Sequence, residues 1–319
     1  MRVSVIGCGR WGTFLAWYSA RIGHDVMLYG RQDSVSYNKL LKDRKNEYLE
    51  LPDSVKLTCS ISCVIEHADF IIIAIGAQQL RSLAREIALL NPAQKVFILC
   101  MKGIEANTGK RLSQVLSEEL GPSTRIALWV GPGHVQQFLN NIPSCMVIGS
   151  QNIELTKKIV DEFGSELIRF YYGQDIIGNE VGAAAKNVIG IAGGMLDGLG
   201  VSGLKGALMA RGAREVSRLI RAMGGNELTA YGLCHLGDYE ATLFSQYSHN
   251  RMFGKTFVKG EKFDKLAEGV STAEALVMLS KLYEVDMPIC SAVYSIVKEG
   301  NDPKEVLTEL FMRRTKFEF

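Results

Sequence analysis

The sequence predicts an α/β protein in two parts: a doubly wound, mostly parallel sheet, followed by an all-α C-terminal domain. Three observations predict it. Short apolar runs alternate with amphipathic stretches through the first half of the chain. A glycine-rich turn joins the first run to the first amphipathic stretch. Beyond residue 178 the strand-like runs stop and long helical patterns take over. The expected division is 1–177 for the sheet domain and 178–319 for the helical domain, and 319 residues are enough for two such units.

Residues 2–6 form the first strand, with Val3, Val5 and Ile6 apolar. Gly7, Gly9 and Gly12 follow at G-x-G-x-x-G spacing, enclosing Arg10 and Trp11. Trp11, Phe14, Leu15, Tyr18 and Ile22 then recur at helical period. Strand, glycine turn and helix in that order give the spacing a physical meaning. Gly7 permits a tight turn, Gly9 lets a pyrophosphate approach the backbone, and Gly12 lets the helix pack closely on the strand. The helix N-terminus offers unpaired N–H groups to phosphates. This is a Rossmann-type arrangement, and it predicts a dinucleotide cofactor.

Strands are expected at 25–29, 70–75, 95–99, 125–130, 144–148 and 167–171, with helices at 78–90, 109–120 and 153–163. Strands separated by helices imply right-handed crossovers and parallel pairing. The second half reads as helices at 180–199, 204–223, 273–283, 289–299 and 303–312, with Pro288 and Pro303 at helix starts, where proline's missing N–H is harmless. No repeat or low-complexity linker separates the halves, so a cleft between them is the expected ligand site.

A net charge of +2, without a stripe of Lys and Arg interleaved with aromatics, gives no nucleic-acid footprint. Of the cysteines, only Cys59 and Cys63 are close in sequence, and no second pair stands at zinc spacing. No metal is expected, and the thiols read as buried and reduced. Residues 2–6 are already a strand, so no cleavable leader is expected. No run of about 18 apolar residues predicts a membrane span, and 181–199 is rich in glycine and broken by Lys186, Asn187 and Asp197. A cytoplasmic protein acting on a small molecule is expected, and assembly as a homodimer stays open.

The second strand ends Leu28-Tyr29-Gly30-Arg31 with no acid at its tip, although Asp33 follows. An acid there would favour a free ribose 2′-hydroxyl. Arg31 instead holds a 2′-phosphate or stacks on adenine, which favours NADP over NAD. Three further strand ends carry small residues: Ala74-Ile75-Gly76, Cys100-Met101-Lys102-Gly103 and Gly131-Pro132-Gly133-His134. They leave room at the carboxyl edge of the sheet, with Lys102 as a lone cation. Lys186 lies among small and apolar residues of a helix expected to be buried. A buried ammonium needs a partner or a lowered pKa, and one so placed exchanges protons with a carbonyl or hydroxyl. The alternative is a lysine snorkelling from a helix end. Asp238 is its candidate partner, the alternative being a turn aspartate. The polar segment 245–254 reads as a loop in which Asn250 and Arg251 bind a phosphate, or else as a solvated loop.

Taken in order, these segments resemble the NAD(P)-dependent glycerol-3-phosphate dehydrogenase family in its bacterial form. The resemblance rests on the Gly7–Gly12 turn with Trp11, Lys102-Gly103, Gly131-Pro132-Gly133, and Gly178, Glu180, Gly182 and Ala183 leading to Lys186-Asn187. It continues through Gly237-Asp238, Ser248-His249-Asn250-Arg251-Met252-Phe253-Gly254, and Glu268-Gly269 before Thr272-Ala273. It implies interconversion of dihydroxyacetone phosphate and sn-glycerol 3-phosphate with NAD or NADP, in support of phospholipid synthesis. By that resemblance Lys186 is the proton donor or acceptor at the substrate oxygen and Lys102 its electrostatic companion. Asp238, Asn187 and Thr242 support them. Gly131, Gly133, Ser248, His249, Asn250 and Arg251 complete the expected substrate contacts. Gly7, Gly9, Arg10, Trp11, Gly12, Arg31, Lys102, Val135, His249 and Glu268 are the expected cofactor contacts.

The sequence departs from the family pattern mainly on the substrate side. Gly133 replaces a serine, His249 an arginine, and Gly76 a proline. Residues 201–204 shorten a G-D-N segment, and Tyr239–Leu243 replaces an apolar run. A histidine cannot fork onto a phosphate as arginine does, and Arg251 is the expected compensation. Two other readings remain in view: a dehydrogenase of this architecture acting on another small substrate, and a non-catalytic NAD(P)-binding sensor.

Overall fold

The structure, a computed structural model, describes residues 1–315, 317 and 318. The sheet half runs β1 (Arg2–Ile6), α1 (Arg10–Arg21), β2 (Asp25–Tyr29), α2 (Val35–Asp43), β3 (Lys56–Thr58), α3 (Ile61–His67), β4 (Phe70–Ile73), α4 (Leu80–Ala88), β5 (Val96–Leu99) and α5 (Leu112–Leu120). It continues with β6 (Arg125–Val130), α6 (Val135–Leu139), β7 (Ser144–Gly149), α7 (Ile153–Phe163) and β8 (Ile168–Gly173). The strand order is β3-β2-β1-β4-β5-β6-β7-β8, parallel except between β6 and β7.

Alternation along the strands explains the two helical layers. Val3, Val5, Phe70, Ile72, Ile98 and Trp129 share one core with Phe14, Leu15, Tyr18, Ile159 and Phe163 from α1 and α7. Ile6, Ile71, Ile73, Phe97, Leu99 and Val130 share the other with residues of α3, α4 and α5. Successive strand side chains point to opposite faces, so a sheet covered on both sides needs apolar residues at every position.

Helix α8 (Ile176–Gly198) begins the second half and is buried over almost its whole length. Around it stand α9 (Lys205–Ala222), α10 (His249–Phe257), α11 (Gly269–Leu282), α12 (Pro288–Glu299) and α13 (Pro303–Phe311). Pro288 and Pro303 are the first residues of α12 and α13, as expected. The approach of α10 to α8 is set by glycine: a Cβ on Gly254 would stand 2.1 Å from the Ile191 carbonyl oxygen. That contact brings the start of α10 beside the middle of α8.

Several elements differ from expectation. The segment 245–254 is not a loop throughout, because Ser248 caps α10, its Oγ accepting the Arg251 N–H at 3.3 Å. A first turn built from His, Asn and Arg hides a helix whose apolar residues, Phe253 and Phe257, come late. The short elements β3 and α3 carry too few residues to show a period, and α2 buries only Tyr37 and Leu40, too few to mark an apolar face. The helix expected from 109 begins at Leu112, since Gly109 has φ +68° and stays in the preceding turn. The cysteines are all free, but Cys59 and Cys63 are exposed rather than buried, because they flank the start of α3 on its outer side.

Candidate active site

The glycine turn is held as its spacing requires. Gly7 has φ +119°, and a Cβ there would lie 2.3 Å from the Ala74 carbonyl oxygen; one on Gly12 would lie 1.9 Å from the Gly7 oxygen. Gly9 is different: no atom lies within 4 Å of the position its Cβ would take. It caps α1, whose first turn carries no acid, so the positive helix end is unopposed. Gly9, Arg10 and Trp11 form one wall of a cavity of about 460 Å³. Open backbone, free N–H groups and that volume fit a dinucleotide pyrophosphate.

The ends of β4, β5 and β6 supply Ala74, Ile75, Cys100, Met101, Lys102, Gly133, His134 and Val135 to the same cavity. The helical half supplies Lys186 and Asn187 from α8, Asp238, Thr242 from a π-helical turn at Glu240–Phe244, and Ser248, His249, Asn250 and Glu268. Residues far apart in the chain thus meet where the sequence expects a cleft.

Lys186 is buried and paired. Its Nζ lies 2.8 Å from Asp238 Oδ2 and donates to Thr242 Oγ1 at 2.8 Å. Thr242 in turn donates to the Asp238 carbonyl at 2.7 Å. Lys102 is not a lone cation: its Nζ lies 2.7 Å from the same Asp238 oxygen and donates to the Gly131 carbonyl at 2.8 Å. This follows from Asp238 being only 1% exposed, since a buried carboxylate gathers whatever cations reach it. Asn187 Nδ2 donates to the Lys102 carbonyl at 2.8 Å, fixing the backbone of that strand end. Burial pulls the Lys186 pKa down to about 8; the Asp238 charge opposes the shift and the Lys102 charge adds to it. An ammonium at that pKa gives and takes protons near neutrality.

The π-turn carrying Thr242 is anchored from behind. Lys205 donates to the Leu243 carbonyl at 2.8 Å and pairs with Asp197 at 2.7 Å. Arg251 Nε reaches Asp197 Oδ2 at 2.6 Å. The expected role of Arg251 therefore needs correction: its guanidinium is committed to the part-buried Asp197, it does not line the cavity, and it ties α10 to the end of α8.

Two polar cavity residues, His134 and Tyr247, were given no role by the sequence. His134 directly follows Gly133, and its Nε2 is buried without a hydrogen-bond partner. Burial and the Arg10 charge bring its pKa down to about 4, so the ring is neutral. Tyr247 precedes the cap of α10 and accepts from Arg10 Nη1 through its carbonyl at 3.3 Å. Their position beside motif residues was the available signal. Asn250 uses its Oδ1 to accept the Gly269 N–H at 2.9 Å, which leaves its NH₂ group for a ligand. Glu268 accepts the Ala77 N–H at 3.1 Å, and burial pushes its carboxyl above the usual range.

The chain matches two family models: the N-terminus of NAD-dependent glycerol-3-phosphate dehydrogenase over residues 2–156, and its C-terminus over 175–308. The chain belongs to this family. It is 35% identical to a glycerol-3-phosphate dehydrogenase [NAD(P)+] of Clostridium botulinum over 328 residues, covering 99% of each chain. It is 36% identical to one from Desulfitobacterium hafniense over 331 residues, covering 99% of this chain and 93% of that one. The crystal structure of a Coxiella burnetii glycerol-3-phosphate dehydrogenase superposes with a TM-score of 0.90 at 27% identity, covering 98% of each chain. The protein is thus an NAD(P)-dependent oxidoreductase of the glycerol-3-phosphate dehydrogenase family.

Against the family pattern, Gly133 has a packing reason. A Cβ at 133 would lie 2.5 Å from the Phe138 ring, so the aromatic side chain fills the space of the family serine. His249 lines the cavity, with burial and the Arg10 charge holding its pKa below the ordinary value. Gly7, Gly12 and Gly131 act through the backbone and are not on the cavity wall. Arg31 also lies off it; its side chain is 66% exposed and stands 3.7 Å from Asp33. Among the described residues no group of His, Cys, Asp or Glu is arranged to hold a metal, and no helix is long and apolar enough to cross a membrane.

Proposed function

We propose that this protein reduces dihydroxyacetone phosphate to sn-glycerol 3-phosphate in the cytoplasm, supplying glycerol phosphate for phospholipid synthesis. Residues 1–177 would form the cofactor half and 178–319 the substrate half. The observation that carries the reading is the Lys186–Asp238–Lys102 group on the wall of the cavity that the glycine turn opens. When bound, NAD(P)H supplies the hydride. Lys186 holds the proton that the substrate C2 oxygen takes as it gains charge, and it is left as a neutral amine that recovers a proton from water. Lys102 keeps a second positive charge beside that oxygen, stabilising the developing alkoxide. Asp238 holds both ammonium groups in place, and Thr242 directs the Lys186 nitrogen. Gly9, Trp11, Val135 and Glu268 are the cofactor contacts this reading retains, and Asn250 and Ser248 are substrate contacts.

Arg31 supports a preference for NADP over NAD, because the end of β2 offers an exposed guanidinium and no acid at its tip. Reduction of dihydroxyacetone phosphate followed by NADH or NADPH absorbance tests substrate and cofactor together. Turnover with dihydroxyacetone phosphate, faster with NADPH, is the expected result. Phe138 and His249 favour one competing reading, a different small ketone as substrate, and a clear preference for another ketone in the same assay would replace the first.

A further inference from the structure

We propose that Arg10, on the first turn of α1, is the cation that recognises the substrate phosphate, reaching it across the cavity from the cofactor-binding half. The proposal rests on the activity inferred above.

Three lysine and arginine side chains line the cavity: Arg10, Lys102 and Lys186. Lys102 and Lys186 share one oxygen of Asp238, so their charge is spent on that carboxylate and on the reacting oxygen. The segment expected to hold the phosphate brings no unpaired permanent charge to the cavity. Arg251 is bound to Asp197, Asn250 is neutral, and burial and the Arg10 charge push the His249 pKa down. A phosphate dianion without a cation would be poorly held there, and a guanidinium is the side chain whose fork matches it.

Arg10 is placed for this task. Its hydrogen bond to the Tyr247 carbonyl carries it from the glycine turn to the residue preceding Ser248, His249 and Asn250. Its guanidinium carbon lies 5.8 Å from the centre of the Tyr48 ring, and of its nitrogens only Nη1 donates to a protein acceptor among the described residues. Among the described residues it is in no ion pair. His134 lies in the field of Arg10 and also of Asp238, Lys186 and Lys102, so both charge groups face shared space. The N-terminus of α1 adds its own positive end beside Arg10. A three-carbon phosphorylated ketone, its carbonyl at Lys186 and its phosphate at Arg10, joins the two groups.

The competing role for Arg10 is the cofactor pyrophosphate, and Arg10→Gln separates the two. Three quantities are measured on the whole enzyme: kcat/KM for dihydroxyacetone phosphate, kcat/KM for unphosphorylated dihydroxyacetone, and the Kd of NADPH by fluorescence without substrate. The proposal expects kcat/KM for the phosphorylated ketone to fall about 50-fold, mostly through KM, the loss of one charge-assisted contact. It expects dihydroxyacetone turnover and the cofactor Kd to stay within about threefold. Adding His249→Arg to the variant should recover about tenfold on the phosphorylated ketone by placing a guanidinium in the same region. A cofactor Kd weakened as much as the substrate KM, or equal losses on both ketones, overturns the assignment. Wild-type enzyme that fails to reduce dihydroxyacetone phosphate rejects the activity reading itself. Wild-type activity that Arg10→Gln leaves intact rejects Arg10 alone.

Discussion

Around Lys186 each charged group has its partner within 2.8 Å, whereas beside Arg10 the His134 Nε2 is buried without one and two imidazoles have lowered pKa values. Both groups line one cavity. The first is assembled in advance from α8, a π-turn and the end of β5, with Lys205 and Asp197 bracing the turn. The second is a set of donors on two domains whose shared acceptor is not part of the protein. The difference teaches where rigidity is needed. Proton transfer depends on fixed geometry and a set pKa, so its groups are satisfied by one another. Anion recognition is completed by the ligand, so its groups are left open.

The sharpest test of the preassembled group is removal of the lysine proposed as its proton carrier. Lys186→Ala is expected to lower kcat by about 10²–10⁴-fold, the usual scale of a lost general acid. Cofactor affinity, measured by fluorescence titration, should hold, because Lys102 still partners Asp238. Near-normal turnover would remove Lys186 from the chemistry.

Asp238→Asn attacks the same group through its centre. With the carboxylate gone, two ammonium groups converge on a neutral amide in a buried site. Breaking such a buried pair costs about 3–5 kcal/mol, to be read from denaturant unfolding. Like-charge repulsion should also lower the Lys186 pKa further. A variant as stable as the wild type would show that Asp238 does not hold the two lysines together.

The wild-type pH profile gives the next effect. In the proposed mechanism ketone reduction needs Lys186 protonated, a state present below a pKa of about 8 and lost as pH rises through it. Above that value kcat for reduction should fall about tenfold per pH unit, while alcohol oxidation, which needs the neutral amine, should rise through the same range. In Asp238→Asn both limbs should move to lower pH. Parallel profiles in the two directions would sever the link to Lys186.

How far the sequence could be read follows the same divide. Lys186 stood out because a charged residue in a Gly- and Ala-rich helix has few explanations, and Asp238 followed as the acid such a lysine requires. Lys102 was legible as a strand-end cation, but its bond to Asp238 joins residues 136 apart in the chain, and no local pattern carries that. The glycine turn and the long strands were legible because their burial imposes a period. Helix α10 was not, since its first turn carries the polar residues that face the cavity. Arg251 misled for a related reason: an arginine beside Asn250 looks like a phosphate ligand until Asp197 is placed against it.

The smallest effect concerns Gly133, where the divergent side of the cavity meets the aromatic packing under the glycine turn. Phe138 stacks on Phe14 with centroids 5.0 Å apart and tilts against Trp11 at 6.3 Å. A serine at 133 would bring its Cβ within 2.5 Å of the Phe138 ring, so Gly133→Ser should destabilise by about 1–3 kcal/mol, the scale of overpacking. Phe138→Leu removes the far ring atoms that such a Cβ would meet. In that background the added serine should cost less than about 0.5 kcal/mol, giving a clear coupling energy between the two sites. Equal losses in both backgrounds would mean that Phe138 is not what excludes the serine. A positive result ties the missing hydroxyl to a ring that supports the cofactor turn, so the loss of one substrate-side donor follows from packing on the cofactor side. The open half of the cavity would then be shaped in part by the closed core beneath it.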